Sequence, residues 1–282
     1  MTLVVAAWCS NGIAICADSR SSYRDTKSNT LRIASDATEK LFQVGRVAVG
    51  TSGVNSLNGR TIFSHMQDFA ANLKEELPSK VADDISIYFR DQYQEHVKTN
   101  PQGRAAQNST VVEFLIVGFE GDEAQAFEAV VIEQAPGDTM QIQGEYGPGE
   151  ISSGRGYYRV GKSGLTWIGD GDIVECLVLG YNKTILSVFG NQLDAANKVI
   201  PTPGFALQDC VNLIYFLTEA SERMKHFSAG DASAVFVNRT VGGPIDVMVV
   251  RKRSGVTILK KKELVAQSQL GNPPTVTEED SP

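Results

Sequence analysis

Three residues within the first forty positions could do covalent chemistry together: Thr2, Asp18 and Lys40. Thr2 opens the apolar run Leu3-Val4-Val5-Ala6-Ala7-Trp8. Once Met1 is removed, Thr2 carries a free amine beside its hydroxyl, so a nucleophile and its base sit on one residue. A hydroxyl attacks poorly near neutral pH unless a base lies within hydrogen-bond reach. An α-amine titrates near ~8 in free peptides, which leaves part of it neutral in a cell. Lys40 beside that hydroxyl would lower its effective pKa. A buried ammonium is costly unless paired, and Asp18 is the expected partner. Each residue alone has a plainer reading: Thr2 as the residue after an initiator methionine, Asp18 as a strand end, Lys40 as a surface lysine. This chemistry calls for no metal and no cofactor.

The elements that must position these residues follow from periodicity. Thr2–Trp8 and Ile13–Ala17 read as a hairpin about Asn11-Gly12, a strong turn signal. That register puts Asp18 about three residue pairs from Thr2, roughly ~10 Å at ~3.3 Å per residue, a gap for the Lys40 side chain to bridge. Both faces of the first strand are apolar, so a layer is expected above and below it. A second hairpin folds around Gly45. Ile62, Met66, Phe69 and Leu73 recur at helical spacing, with Pro78 as the expected stop. Val81, Ile85, Tyr88 and Phe89 mark a second helix ending at Asn100-Pro101.

Strands are expected over 110–118, 124–134 and 166–168, with another near 140–143. A helix should start at Asp172 after Gly169-Asp170-Gly171. A longer helix spans about 206–225, and the last strands cover 245–250 and 256–259. Runs of strands and helices segregated in this way indicate an α+β layer architecture. Residues 1–265 read as one domain and 266–282 as a polar, disordered tail.

Composition narrows the function classes. The chain has 282 residues, 42% of them hydrophobic, and a net charge of -7. That balance argues against nucleic acid, which needs a basic stripe to neutralise phosphates. The basic cluster of Arg251-Lys252-Arg253 and Lys260-Lys261-Lys262 flanks a short turn and reads as a solvated hairpin edge. Cys9, Cys16, Cys176 and Cys210 form no C-x-x-C pair, and His65, His96 and His226 show no metal-ligand spacing. A reduced, cytoplasmic protein with no membrane span is expected.

With these residues in view, the chain resembles the proteasome β-subunit family, and within it the bacterial proteasome-like homologues. The resemblance rests on Thr2, on Gly12-Ile13-Ala14-Ile15-Cys16-Ala17-Asp18-Ser19-Arg20, on Lys40-Leu41-Phe42-Gln43-Val44 and on Ala48-Val49-Gly50-Thr51-Ser52-Gly53. Gly169-Asp170-Gly171-Asp172 and Gly242-Gly243-Pro244-Ile245-Asp246-Val247 resemble later family signatures. It implies a four-layer αββα sandwich with two antiparallel sheets face to face. It implies a threonine endopeptidase acting on peptide or unfolded protein, assembled as a homo-oligomer, with any ATP-driven unfoldase a separate protein.

Residue by residue, the resemblance implies Thr2 as nucleophile, Asp18 and Lys40 as its supporting pair, and the Gly50 N–H as oxyanion donor. Ser22 and Ser52 would pair with an extended substrate, and Ala48 would shape a roomy apolar specificity pocket. Asp170 stands where the family has a serine. It reads either as an N-cap or as a substitute orienting the Thr2 amine, where its charge would favour the ammonium. Asn238 and Val241 stand where the family has aspartate and serine. The stretch from Asp18 to Lys40 is longer than usual. Two alternatives stay open: an N-terminal nucleophile amidohydrolase acting on a small amide, and an inactive structural subunit.

Overall fold

The computed structural model describes residues 2–25, 30–133, 151–158, 163–179, 204–227 and 241–260. The expected strand near 140–143, residue Asn238 and the expected polar tail lie outside these residues. The fold is mixed, with several antiparallel sheets and few helices. β1 (Leu3–Cys9) and β2 (Gly12–Ala17) form the first hairpin. β3 (Ser21–Asp25) and β4 (Thr30–Ser35) make a separate two-stranded ribbon from the long stretch before Lys40. β5 (Leu41–Val44) and β6 (Val47–Gly53) turn at Gly45, whose φ of 58° suits a residue without Cβ. A minor pair, β7 (Ser56–Leu57) and β8 (Arg60–Thr61), precedes the first helix.

Helix α1 (Ile62–Ala71) is capped by the Thr61 hydroxyl, which accepts from the Ser64 N–H. It ends at Asn72, before Pro78 is reached. Pro78 starts the next helix, α2 (Pro78–Thr99). Its fixed φ suits the first helical position, which needs no N–H, so the expectation that Pro78 stops α1 is corrected. β9 (Ser109–Glu120), β10 (Glu123–Glu133) and β11 (Ile151–Tyr158) follow. Then come β12 (Gly164–Gly169), α3 (Asp172–Leu179), α4 (Leu207–Phe227), β13 (Asp246–Arg251) and β14 (Gly255–Lys260).

The strands form two five-stranded antiparallel sheets, ordered β12-β1-β2-β13-β14 and β11-β10-β9-β6-β5. All of β1 is buried, as its two apolar faces require. Val4, Ala6 and Trp8 pack with Leu41, Ala48, Leu115 and Val117 of the other sheet. Leu3, Val5 and Ala7 pack with Val174 of α3 and with Ile214 and Leu217 of α4. The outer face of the second sheet packs Phe114, Ile116 and Val131 against Met66, Phe69, Ile85 and Phe89 of α1 and α2. The strand alternation thus divides the apolar residues into three cores. No helix among the described residues is long and apolar enough to cross a membrane.

On the helix-facing side of β2, the Cys16 thiol lies against the Ile214 carbonyl and the Thr218 hydroxyl. Burial pushes it up to about 12 from an ordinary value near 9, against the opposing pull of the Thr218 hydrogen bond. The folded value is raised, so its contribution to stability is complete below about 9 and is lost as pH rises toward 12. Urea unfolding between pH 8 and 11 is therefore expected to show a fall in stability that is shallower in Cys16→Ala. Parallel profiles for the two proteins would refute this.

Candidate active site

The first hairpin turns at Ser10-Asn11, with Cys9 paired to Gly12. This is one residue earlier than expected, and the shift moves the register by two. Val4 now lies opposite Ala17, and Asp18 falls beside Leu3. The expected separation of Asp18 from Thr2 is corrected accordingly. The Asp18 carboxylate accepts directly from the Leu3 N–H at 2.9 Å, the amide that joins Thr2 to the chain.

Asp18 is saturated with donors. Oδ1 accepts from Leu3 N and, at 3.0 Å, from Lys40 Nζ. Oδ2 accepts from the amides of Arg20 at 3.2 Å and Gly242 at 3.0 Å. The Asp18 and Lys40 side chains are 1% and 2% exposed. Lys40 Nζ also donates to the Arg20 carbonyl. A charge pair this deep persists only when hydrogen bonds replace the lost hydration, and here the four acceptor positions of the carboxylate are filled. Lys40 precedes β5 and its carbonyl accepts from Thr51 N at 2.9 Å, so it belongs to the second sheet. The pair therefore joins the two sheets beneath Thr2.

Arg20 and the Gly242-Gly243 segment brace this arrangement. The guanidinium meets both Asp36 oxygens, at 2.6 and 3.1 Å, and holds that carboxyl below its usual range. A Cβ at Gly242 would lie 2.5 Å from Arg20 Cζ, so glycine is what lets its amide reach Asp18. Ser19 N donates to the Gly242 carbonyl at 3.1 Å, and the Ser19 hydroxyl donates to the Pro244 carbonyl. Val241 is buried in the core facing α3 and α4.

Thr2 is 4% exposed, and its carbonyl accepts from Asp170 N at 2.7 Å. Asp170 stands two residues before α3, which starts at Asp172. The contact with Thr2 comes from the Asp170 backbone. Gly169 has φ 80°, and a side chain there would collide with the Thr2 carbonyl.

Thr2 and Lys40 line a cavity of about 360 Å³ together with Ser35, Thr51, Ser52 and Gly53. Ser52 stands at this cavity. Ala48 is fully buried between the sheets, and Thr51, Ser52 and Gly53 are the residues of β6 that line the space. Gly50 also lies off the cavity. It pairs with Leu41 and Leu115 in mid-sheet, and a Cβ on it would collide with Val4. Ser22 is half-buried on β3, with no partner for its hydroxyl among the described residues. Gly53, at φ 110°, reaches the cavity at the end of β6. Successive strand amides point to opposite edges. The Gly53 N–H therefore points the way Thr51's does, past the start of β5. Thr51 and Gly53 have no sequence signal that separates them from Ala48 and Gly50; only the register does so.

No family model matches the chain, and no curated protein matches it. Among solved structures the chain is similar to Anbu from Hyphomicrobium sp. strain MC1, a Gly-1 mutant, at 13% identity and TM-score 0.49, covering 93% of this chain and 86% of that one. It is similar to Anbu (ancestral beta-subunit) from Yersinia bercovieri at 15% identity and TM-score 0.48, covering 92% and 87%. It is also similar to Thiobacillus denitrificans BPH in complex with epoxomicin, at 14% identity and TM-score 0.43, covering 89% and 98%. Similarities at these scores carry no weight for function, which is read from the residues themselves.

Gly50→Ala is expected to destabilise the protein by about 1–3 kcal/mol through overpacking, and Val4→Ala in the same chain to recover part of the loss. Denaturant titration of the two single variants and the double variant measures this. A Gly50→Ala protein of unchanged stability would return Gly50 to the list of groups available for chemistry.

Proposed function

We propose that this chain is an N-terminal threonine peptidase, with Thr2 as nucleophile after removal of Met1. The observation that carries this reading is the buried Asp18–Lys40 pair, hydrogen-bonded to the amide that follows Thr2, at the wall of the cavity that Thr2 lines. In this reading the Thr2 amine takes the hydroxyl proton, directly or through a water. Lys40, kept charged by Asp18, stabilises the alkoxide as it forms. The oxygen attacks the substrate carbonyl, and the developing oxyanion takes a hydrogen bond from the β6 end, where Gly53 rather than Gly50 faces the cavity. Collapse expels the amine half of the substrate and leaves an ester on Thr2. Water then hydrolyses the ester and restores the hydroxyl.

One further feature supports a peptide over a small amide. The cavity is lined by two runs of neighbouring residues, Ser35, Ala37, Thr38 and Glu39 before β5 and Thr51, Ser52, Gly53 and Val54 at the end of β6. An extended chain pairs with backbone edges by strand addition, which a small amide would not use. The four-layer sandwich belongs to the same reading, supported by the three apolar cores. So do the homo-oligomer, a separate ATP-driven unfoldase and a cytoplasmic location.

Intact mass before and after a peptide epoxyketone, which requires both the threonine hydroxyl and its free amine, tests the proposal. A mass lacking Met1 with one adduct, absent in Thr2→Ala, is the expected result. Loss of Met1 with no adduct, alongside turnover of a small amide, would favour the amidohydrolase. Retained Met1 and no turnover would favour a structural subunit, since the acylated amine is no base. Asp18→Asn is expected to cost ~3–5 kcal/mol of stability, because it strands a buried ammonium, and to slow adduct formation more than 100-fold. A fast-reacting, fully stable Asp18→Asn protein would count against the site as drawn.

A further inference from the structure

We propose that Glu113 is a positioning residue for Thr2, acting through Gly169. The proposal rests on the reading of Thr2 as nucleophile. Glu113 belongs to β9 of the second sheet and sits directly opposite Ser52 in the β6–β9 register. Its Oε2 accepts from the Gly169 N–H at 3.1 Å. Gly169 ends β12 in the first sheet, opposite Leu3 of β1. This hydrogen bond therefore crosses from one sheet to the other at the mouth of the site, as Lys40–Asp18 does beneath it.

The consequence for Thr2 is geometric. Gly169 occupies a left-handed conformation, and a Cβ there would meet the Thr2 carbonyl and stand 2.7 Å from Ser52 Oγ. The next amide, Asp170 N–H, holds the Thr2 carbonyl at 2.7 Å. On the other side of Thr2, Asp18 holds the Leu3 amide at 2.9 Å. Thr2 is the first residue of the chain that would react, and among the described residues its backbone is held at its carbonyl by Asp170 and at the amide that follows it by Asp18. The Asp170 contact is one of these two pins. It depends on the orientation of a glycine peptide, the least constrained backbone type. Glu113 holds the N–H of that glycine, in the peptide just before the one that carries the Asp170 N–H, with a charge-assisted bond, so that only the φ and ψ of Gly169 lie between the two. Misplacing a reacting group by about 1 Å typically costs ~10²-fold in rate.

The test compares Glu113→Ala with Glu113→Gln, which retains a carbonyl acceptor but no charge. Hydrogen exchange of the segment 166–172 reads the hold on Gly169 whether or not the protein is active. Epoxyketone labelling of Thr2 reads positioning as kinact separated from KI. Glu113→Ala is expected to speed exchange in that segment and to lower kinact about 10- to 100-fold, with KI within about threefold. Glu113→Gln is expected to restore both largely. A residue serving stability alone would lower the unfolding midpoint with kinact unmoved, and that result overturns the proposal. So does unchanged exchange in Glu113→Ala. A wild-type protein inert to the epoxyketone, in which Glu113→Ala still frees the segment, overturns the nucleophile reading while keeping Glu113 as the residue that holds Thr2's backbone.

Discussion

The buried pair of Asp18 and Lys40 is the constraint around which the rest of this molecule is arranged. An ammonium and a carboxylate removed from water are tolerated only if every remaining acceptor and donor is met. Meeting them takes amides from three parts of the chain: Leu3, Arg20 and Gly242. Those parts can converge only if β1 and β2 pair in one register and the Gly242 segment closes over Arg20. The pair spans two sheets, so it also fixes how they meet at this end. The apolar residues between the sheets supply the driving force for stacking, and the charge pair dictates a particular alignment.

The site is correspondingly made of backbone. Apart from Thr2, Asp18 and Lys40 themselves, the groups that touch these three residues are mainly N–H and C=O groups of Leu3, Arg20, Asp170 and Gly242. Glycines matter here as absences of side chains: Gly242 makes room for the Arg20 guanidinium, and Gly169 for the Thr2 carbonyl. Substitution at either would act by displacing a main-chain donor. The Arg20–Asp36 contact extends the bracing outward to a half-exposed carboxylate, so the order falls off gradually from the buried pair to the surface.

Much of this was legible in the sequence, and the exceptions have physical causes. Thr2, Asp18 and Lys40 could be nominated because the sequence blocks around them, in their order and spacing, resemble a known family. The all-apolar β1 could be read as doubly covered because alternation is local. Which residues of β6 line the cavity could not be read, because counting along β6 gives no register against β5: Thr51, Ser52 and Gly53 line it, and Ala48 is buried between the sheets. Pro78 was read as a stop when it is a start, since the same fixed φ serves both. Glu113 could not be found at all: its partner is a backbone amide 56 positions away, and a backbone amide leaves no mark on the sequence.

The two-residue turn at Ser10-Asn11 lies at the far end of β1, roughly 25 Å from Thr2 at ~3.3 Å per residue. It touches no part of the site, yet it acts as its gauge. One inserted residue would turn over the faces of a strand, sending either Val4 and Trp8 or Leu3 and Val5 to the wrong core. Two would keep the faces and slide Asp18 along to the next pair, out of reach of the amide it now holds. A loop on the solvent side of the protein is thereby under the same geometric discipline as Thr2, and its length, more than its composition, is what the fold has to preserve.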